Sequence, residues 1–135
     1  MTKNTKVNAA ILIIGNEILS GRTQDTNTVT LATWLNSIGV KVNEVRVIPD
    51  NEKIIVDTLN ILRKENSYVF TTGGIGPTHD DITASSVSKA FNLKYEIHEE
   101  AFKILEEYYQ PGDFNEGRQK MVWMPKNAEL IINPT

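Results

Sequence analysis

At 135 residues and 40% hydrophobic content, the chain is long enough for one domain with a real core and too short for two ordinary ones. Its net charge of −3, with no Lys/Arg cluster, argues against nucleic acid as a partner, because phosphate backbones are bound mainly by concentrated positive charge. With no cysteine there is neither a disulfide framework nor a thiolate metal site. Residues 1–8 are polar and read as a flexible N-terminus. The apolar run after them is too short for a signal sequence or a membrane span, so the sequence reads as a soluble, cytoplasmic protein without a membrane partner.

Ala9 to Ile14 is apolar without alternation, the pattern of a strand buried on both faces of a parallel sheet. The polar segment Asn16 to Asn27 follows, and Asp25 or Asn27 can cap the helix after it. Leu31, Trp34, Leu35 and Ile38 then recur at helical spacing, predicting a stripe packed on the sheet and stopped at Gly39. Val40 to Ile48 predicts a second strand ending at Pro49-Asp50. The segment Asn51 to Glu65 predicts a helix with Ile55, Leu59 and Leu62 on one face, and Ser67 to Thr72 a third strand. This β-α-β-α-β alternation predicts a mostly parallel sheet between two helix layers, a three-layer α/β/α sandwich. A helix over Asp80 to Phe91, with Ala84, Val87 and Phe91 inward, comes next. Leu93 to Ile97 predicts a short edge-type strand, Glu99 to Tyr109 a helix broken by Gln110-Pro111-Gly112-Asp113, and Glu129 to Ile132 a last strand.

The chemistry concentrates between Thr71 and Thr83, where a strand-to-helix loop holds Gly73, Gly74 and Gly76 among Thr71, Thr72, Thr78, His79, Asp80, Asp81 and Thr83. Such loops face the crevice beyond the carboxyl ends of parallel strands, where ligands bind in open α/β sheets. Clustered glycines let backbone N–H groups approach an anion, and the following helix turns its positive end to the same place, so phosphate is the expected guest. Adjacent aspartates do not hold phosphate by charge, and a divalent cation between them would resolve the conflict. Asp50 and Glu17 end neighbouring loops on the same edge, which makes three carboxylate-bearing loops able to supply oxygen ligands to a Mg²⁺-type ion. Plainer roles stand beside these. Thr78-x-x-Asp81 matches a capping box, Asp50 can cap the helix from Asn51, His79 fits a solvated loop residue and His98 a helix start. Arg118 is either a phosphate clamp or a surface residue, and spacing does not choose.

The run from Thr72 to Thr83, Gly15-Asn16-Glu17-Ile18-Leu19-Ser20-Gly21 followed by Asp25-Thr26-Asn27, and Asn115-Glu116-x-Arg118-Gln119 before Met124-Pro125 together resemble the molybdopterin-binding superfamily. Within it they are more similar to the N-terminal domain of the competence-damage inducible (CinA) proteins than to the molybdopterin adenylyltransferases. The resemblance covers Ala9 to Pro134 and implies a single α/β/α domain that usually self-associates as a homo-oligomer and binds a phosphorylated pterin or nucleotide at the Gly73 loop. It further implies that Asp50 and Asp81 match essential metal-site carboxylates. With the residue pattern itself, the expected binding site takes in Thr72, Gly73, Gly74, Gly76, Thr78, Thr83 and Arg118, with Glu17 supporting the metal. The expected activity is hydrolysis of a nucleotide pyrophosphate such as ADP-ribose with Mg²⁺, Mn²⁺ or Co²⁺. The alternative is a non-catalytic module for molybdopterin or a nucleotide, or a molybdenum-cofactor biosynthesis protein. Nicotinamide mononucleotide deamidation is not expected, because it belongs to an amidase domain that this sequence lacks. The family pattern continues past Asn133-Pro134 with a Pro-Gly loop and a helix, so part of the phosphate site is expected beyond Thr135.

Overall fold

The computed structural model describes residues 7–131. Strand β1 (Asn8–Ile14) lies at the centre of a three-stranded parallel sheet, between β2 (Lys41–Ile48) and β3 (Tyr68–Thr72), in the order β2-β1-β3. Asn8, expected in the flexible N-terminus, begins the central strand: its side-chain oxygen accepts the Ser67 N–H at 2.7 Å and fixes where β3 starts. The register sets Ile14 opposite Ile48, and Ile13 opposite both Val47 and Thr72. All three strands therefore run out at one edge of the sheet.

The unalternating run of β1 is buried on both faces as expected. Ala10, Leu12 and Ile14 form one core cluster with Ile48, Ile55 and Leu62, while Ala9, Ile11 and Ile13 turn to the other face. Chain order and right-handed crossovers put α2 (Asn27–Ser37) and α3 (Glu52–Glu65) on opposite faces, because β1 to β2 and β2 to β3 cross the sheet in opposite directions. The result is the expected α/β sandwich. Helix α3 keeps its predicted face, with Ile55, Leu59 and Leu62 buried, and its cap is Asn51, whose side chain accepts the Ile54 N–H at 3.0 Å. The cap is thus one residue after Asp50. Asp25 serves α2, accepting the Asn27 and Thr28 N–H groups, and His98 Nδ1 caps α5 (Glu99–Tyr108) through the Ala101 N–H at 3.2 Å.

Four expectations need correction. Of the α2 stripe only Leu35 is fully buried, while Trp34 and Ile38 are 54% and 55% exposed. The helix rests on β2, an edge strand, so there is too little sheet beneath it to cover the stripe. Helix α4 (Thr83–Ala90) starts at Thr83 rather than Asp80, because the preceding residues close the Thr78–Asp81 turn described below. It buries Thr83, Ser86, Ser88 and Ala90, small residues that let it approach α3, and leaves Phe91 outside beneath the Arg63 guanidinium. The strand expected over Leu93 to Ile97 is β4 (Tyr95–Ile97), which leaves the main sheet and pairs antiparallel with β5 (Trp123–Pro125). Between α5 and β5 stand the one-turn helix α6 (Glu116–Gln119) and a 3₁₀ turn at Lys120–Val122. Finally, Glu129 to Ile131 form no strand, Ile131 being exposed, and Ile132 to Thr135 lie outside the described residues. No helix among the described residues is long and apolar enough to cross a membrane.

The Ser86 hydroxyl is fully buried and has no hydrogen-bond partner among the described residues. An unpaired buried hydroxyl keeps its desolvation cost without return. Ser86→Ala is therefore expected to raise stability by about 1 kcal/mol, read as a higher urea midpoint at unchanged slope. A loss of stability would mean that the hydroxyl is satisfied.

Candidate functional site

The carboxyl edge of the sheet is built by close backbone approach. Gly73 and Gly74 have φ of +92° and +70°, a conformation that L side chains rarely adopt. A Cβ at Gly73 would also collide with the Ile14 carbonyl oxygen, and one at Gly74 with the Thr83 hydroxyl. Glycine is required at both positions. Thr72, the last paired residue of β3, delivers the chain into this turn, and Thr83 fastens its far side: its hydroxyl donates to the Gly73 carbonyl at 2.8 Å and its N–H to the Gly74 carbonyl at 3.1 Å. Both carbonyls are drawn toward α4. Among the described residues, no backbone hydrogen bond engages the N–H of Gly74 or Ile75.

The next turn is closed by Asp81. Its Oδ2 accepts the Thr78 N–H at 2.9 Å and the Thr78 hydroxyl at 2.8 Å. A Cβ at Gly76 would stand 2.9 Å from the same oxygen. Half of the expected capping box is present, but it closes the loop ahead of α4 and does not cap the helix. Lys120 reaches across from the 3₁₀ turn and donates to the Thr78 carbonyl. Partial burial works to raise the Asp81 carboxyl. The Thr78 hydroxyl and N–H, the Gly76 N–H and the Lys120 charge outweigh it and hold Asp81 below the ordinary carboxylate range. Asp81 is ionised at neutral pH.

Asp50 and Glu17 stand on the adjoining loops. Asp50 and Asn16 clasp each other, the Asn16 N–H donating to Asp50 Oδ2 and the Asp50 N–H to Asn16 Oδ1, both at 3.2 Å. The Gly15 N–H donates to the Ile48 carbonyl at 3.0 Å, tying the ends of β1 and β2 together. Glu17, on the one-turn helix α1 (Asn16–Leu19), folds back so that a Cβ on Gly15 would lie 2.8 Å from its carboxylate. Among the described residues no three acidic or imidazole side chains gather closely enough to share a metal ion, so the expected set of Asp50, Asp81 and Glu17 is not assembled as a cage. Asp50 and the Gly73 loop follow strands on either side of β1, roughly 10 Å apart at sheet spacing.

Arg118 turns to its own neighbourhood. Its Nη1 donates to the Asp113 carbonyl at 2.9 Å, and its guanidinium lies 4.6 Å from the Tyr109 ring centroid. Lys120 is the cation beside the glycine loop. His79 is exposed and pairs with Asp80, as a solvated loop histidine would.

Beside the loop is a cavity of about 390 Å³, reached by Gly74, Ile75, Gly76, Asp81 and Lys120 on one side and by Tyr95, Met121, Trp123 and Met124 on the other. Its size lies within the range of small-molecule sites. A larger, open hollow of about 800 Å³ along α5 carries Glu99, Glu100 and Glu106 and none of the loop's donors, which disfavours an anion there.

Against known families, residues 10–131 match the one described as "Probable molybdopterin binding domain". The chain belongs to this molybdopterin-binding domain family. Similarity to a CinA-like protein of Geotalea uraniireducens is 38% identity over 93% of this chain and 30% of that protein. A solved CinA structure from Thermoplasma acidophilum, 31% identical, superposes over 94% of this chain and 75% of that one with a TM-score of 0.87. A molybdopterin biosynthesis enzyme MoaB from Thermus thermophilus matches at TM-score 0.58 over 62% of this chain and 54% of its own, and at 22% identity it speaks for the fold alone. The molybdopterin-binding domain seen here is thus close to the CinA N-terminal domain, and it spans about half the length of the archaeal relatives it matches.

Because the folded state holds Asp81 below its unfolded value, its contribution to stability is complete above the unfolded value of about 3.9 and is lost as pH falls through the folded value. The gap in urea midpoint between the natural protein and Asp81→Asn is expected to be constant from pH 7 to about pH 5 and to close below about pH 4. A gap that widens on acidification would contradict the Thr78–Asp81 geometry.

Proposed function

We propose that the site binds the phosphates of a phosphorylated nucleotide or pterin at the Gly73 loop and hydrolyses a pyrophosphate bond, as in ADP-ribose, with a divalent cation. The observation that carries this reading is the pair of N–H groups at Gly74 and Ile75, without backbone partners among the described residues, in a loop that lines a ligand-sized cavity together with Lys120. Backbone donors and a lysine together are a phosphate site. The carboxylates do not form a resident cage, but a Mg²⁺-type ion needs only one or two carboxylates when phosphate oxygens complete its shell. Ionised Asp81 and Asp50 fit an ion that arrives with the diphosphate, with Glu17 in support. Mg²⁺, Mn²⁺ or Co²⁺ would supply polarisation of a phosphoryl oxygen and a more acidic water.

The chain's own residues do the rest. Gly73, Gly74 and Gly76 let the backbone approach the diphosphate, Thr83 keeps the Gly73 and Gly74 carbonyls turned away from it, and Thr78 holds Asp81 in place. Water attacks one phosphorus, the P–O–P bond breaks, and ADP-ribose yields AMP and ribose 5-phosphate. Released AMP should appear with any of the three metals. Asp81→Asn and Asp50→Asn should each lower the rate at least about a hundredfold, roughly 3 kcal/mol of barrier. Turnover equal to that of these variants would leave the second reading, a non-catalytic molybdopterin or nucleotide module. That no three-ligand group is preassembled among the described residues favours that alternative, and calorimetry would then give saturable heat with unchanged ligand. The same reading places the domain in the cytoplasm as a homo-oligomer, for which the exposed Val29, Trp34 and Ile38 of α2 offer apolar surface to cover.

A further inference from the structure

The wall of the cavity opposite the loop has no part in holding phosphate. Tyr95 and Trp123, neighbours across the β4–β5 ribbon, lie 5.5 Å apart between ring centroids and 44° from coplanar. Met121 and Met124 complete that wall, and Ile75 faces it from the loop. Two of these groups are uncovered: Ile75 is 70% and Trp123 38% exposed. Apolar groups left open beside a phosphate cradle ask for an apolar occupant attached to phosphate. Flat rings suit them, because aromatic faces and thioethers both attract π-systems.

The polar inventory narrows the class further. Thr78 holds Asp81 through Oδ2, and Lys120 meets the Thr78 carbonyl; both stand beside the loop, where the proposed function gives them to the phosphates and their cation. This leaves the Tyr95 hydroxyl and the Trp123 indole N–H as the other side-chain polar groups of the lining among the described residues. Among the described residues, no amide, arginine or further hydroxyl side chain lines the cavity to read the edge of a base. Resting on the reading that the Gly73 loop takes the phosphates, we propose that the cavity between Ile75, Tyr95, Met121, Trp123 and Met124 is a ring subsite for nucleoside diphosphates, which holds the heteroaromatic ring by stacking and does not discriminate between bases. Stacking is tolerant of base identity because every base has a π-face.

Trp123 is also the reporter. The chain has two tryptophans, and Trp34→Phe leaves Trp123 alone. In that variant ADP and GDP should quench the fluorescence with dissociation constants within about threefold of each other. Inorganic pyrophosphate should bind by calorimetry without quenching. Trp123→Ala should weaken ADP at least about tenfold and leave pyrophosphate unchanged, which also shows that the loop is intact, and Trp123→Phe should recover most of the loss. The ring subsite is overturned if pyrophosphate binds but Trp123→Ala leaves ADP unaffected, or if ADP and GDP differ more than tenfold. If neither ADP nor pyrophosphate binds, the phosphate reading of the loop fails and the ring subsite falls with it.

Discussion

The approach of Gly73 to the carbonyl of Ile14 is the contact on which the site depends. The end of the central strand and the start of the ligand loop occupy space that no side chain can share, so the loop is held against the sheet by the lack of a Cβ. The other relations at this edge follow from it. Thr83 can fasten the Gly73 and Gly74 carbonyls only because the chain has turned back sharply, and α4 begins where that fastening ends. The cost is two consecutive residues at positive φ, conformations that glycine adopts with little strain.

Electrostatics at the same edge are arranged around one anion. Asp81 receives two hydrogen bonds from Thr78 and has Lys120 nearby, so its charge is stabilised against its partial burial. Asp50 is held differently, through a reciprocal pair with Asn16 that joins the loop after β1 to the loop after β2. The two carboxylates thus belong to separate local frames on either side of β1.

The fold was largely legible in the sequence because its signals are local and strong. The apolar run of β1 and the periodicity of α3 left few alternatives, and the glycines at positions 73 and 74 marked a turn that only glycine tolerates. Trp34 and Ile38 misled because periodicity shows which residues share a face and does not show how much sheet lies beneath it. Phe91 misled in the same way: α4 buries small residues against its neighbours, and apolar size alone does not identify the buried side. At the candidate site, the turn at the glycine loop was readable, while the fastening by Thr83 and the clasp of Asp50 with Asn16 depend on loop geometry and strand register. Lys120 was hidden beside Arg118, and only the placement of the 3₁₀ turn separates a lysine that meets the loop from an arginine that turns to Tyr109. Tyr95 and Trp123 are 28 residues apart and meet because β4 and β5 pair outside the main sheet.

That separate pairing has a thermodynamic consequence. The cavity's two walls belong to different sheets, and Lys120 and Trp123 are joined by a single 3₁₀ turn anchored by fully buried Val122, whose carbonyl accepts the His98 N–H at 2.7 Å. A displacement of the ribbon therefore moves the cation and the indole together. Linkage requires symmetry in any such arrangement: the free energy by which an occupant of one wall favours an occupant of the other is the same whichever arrives first.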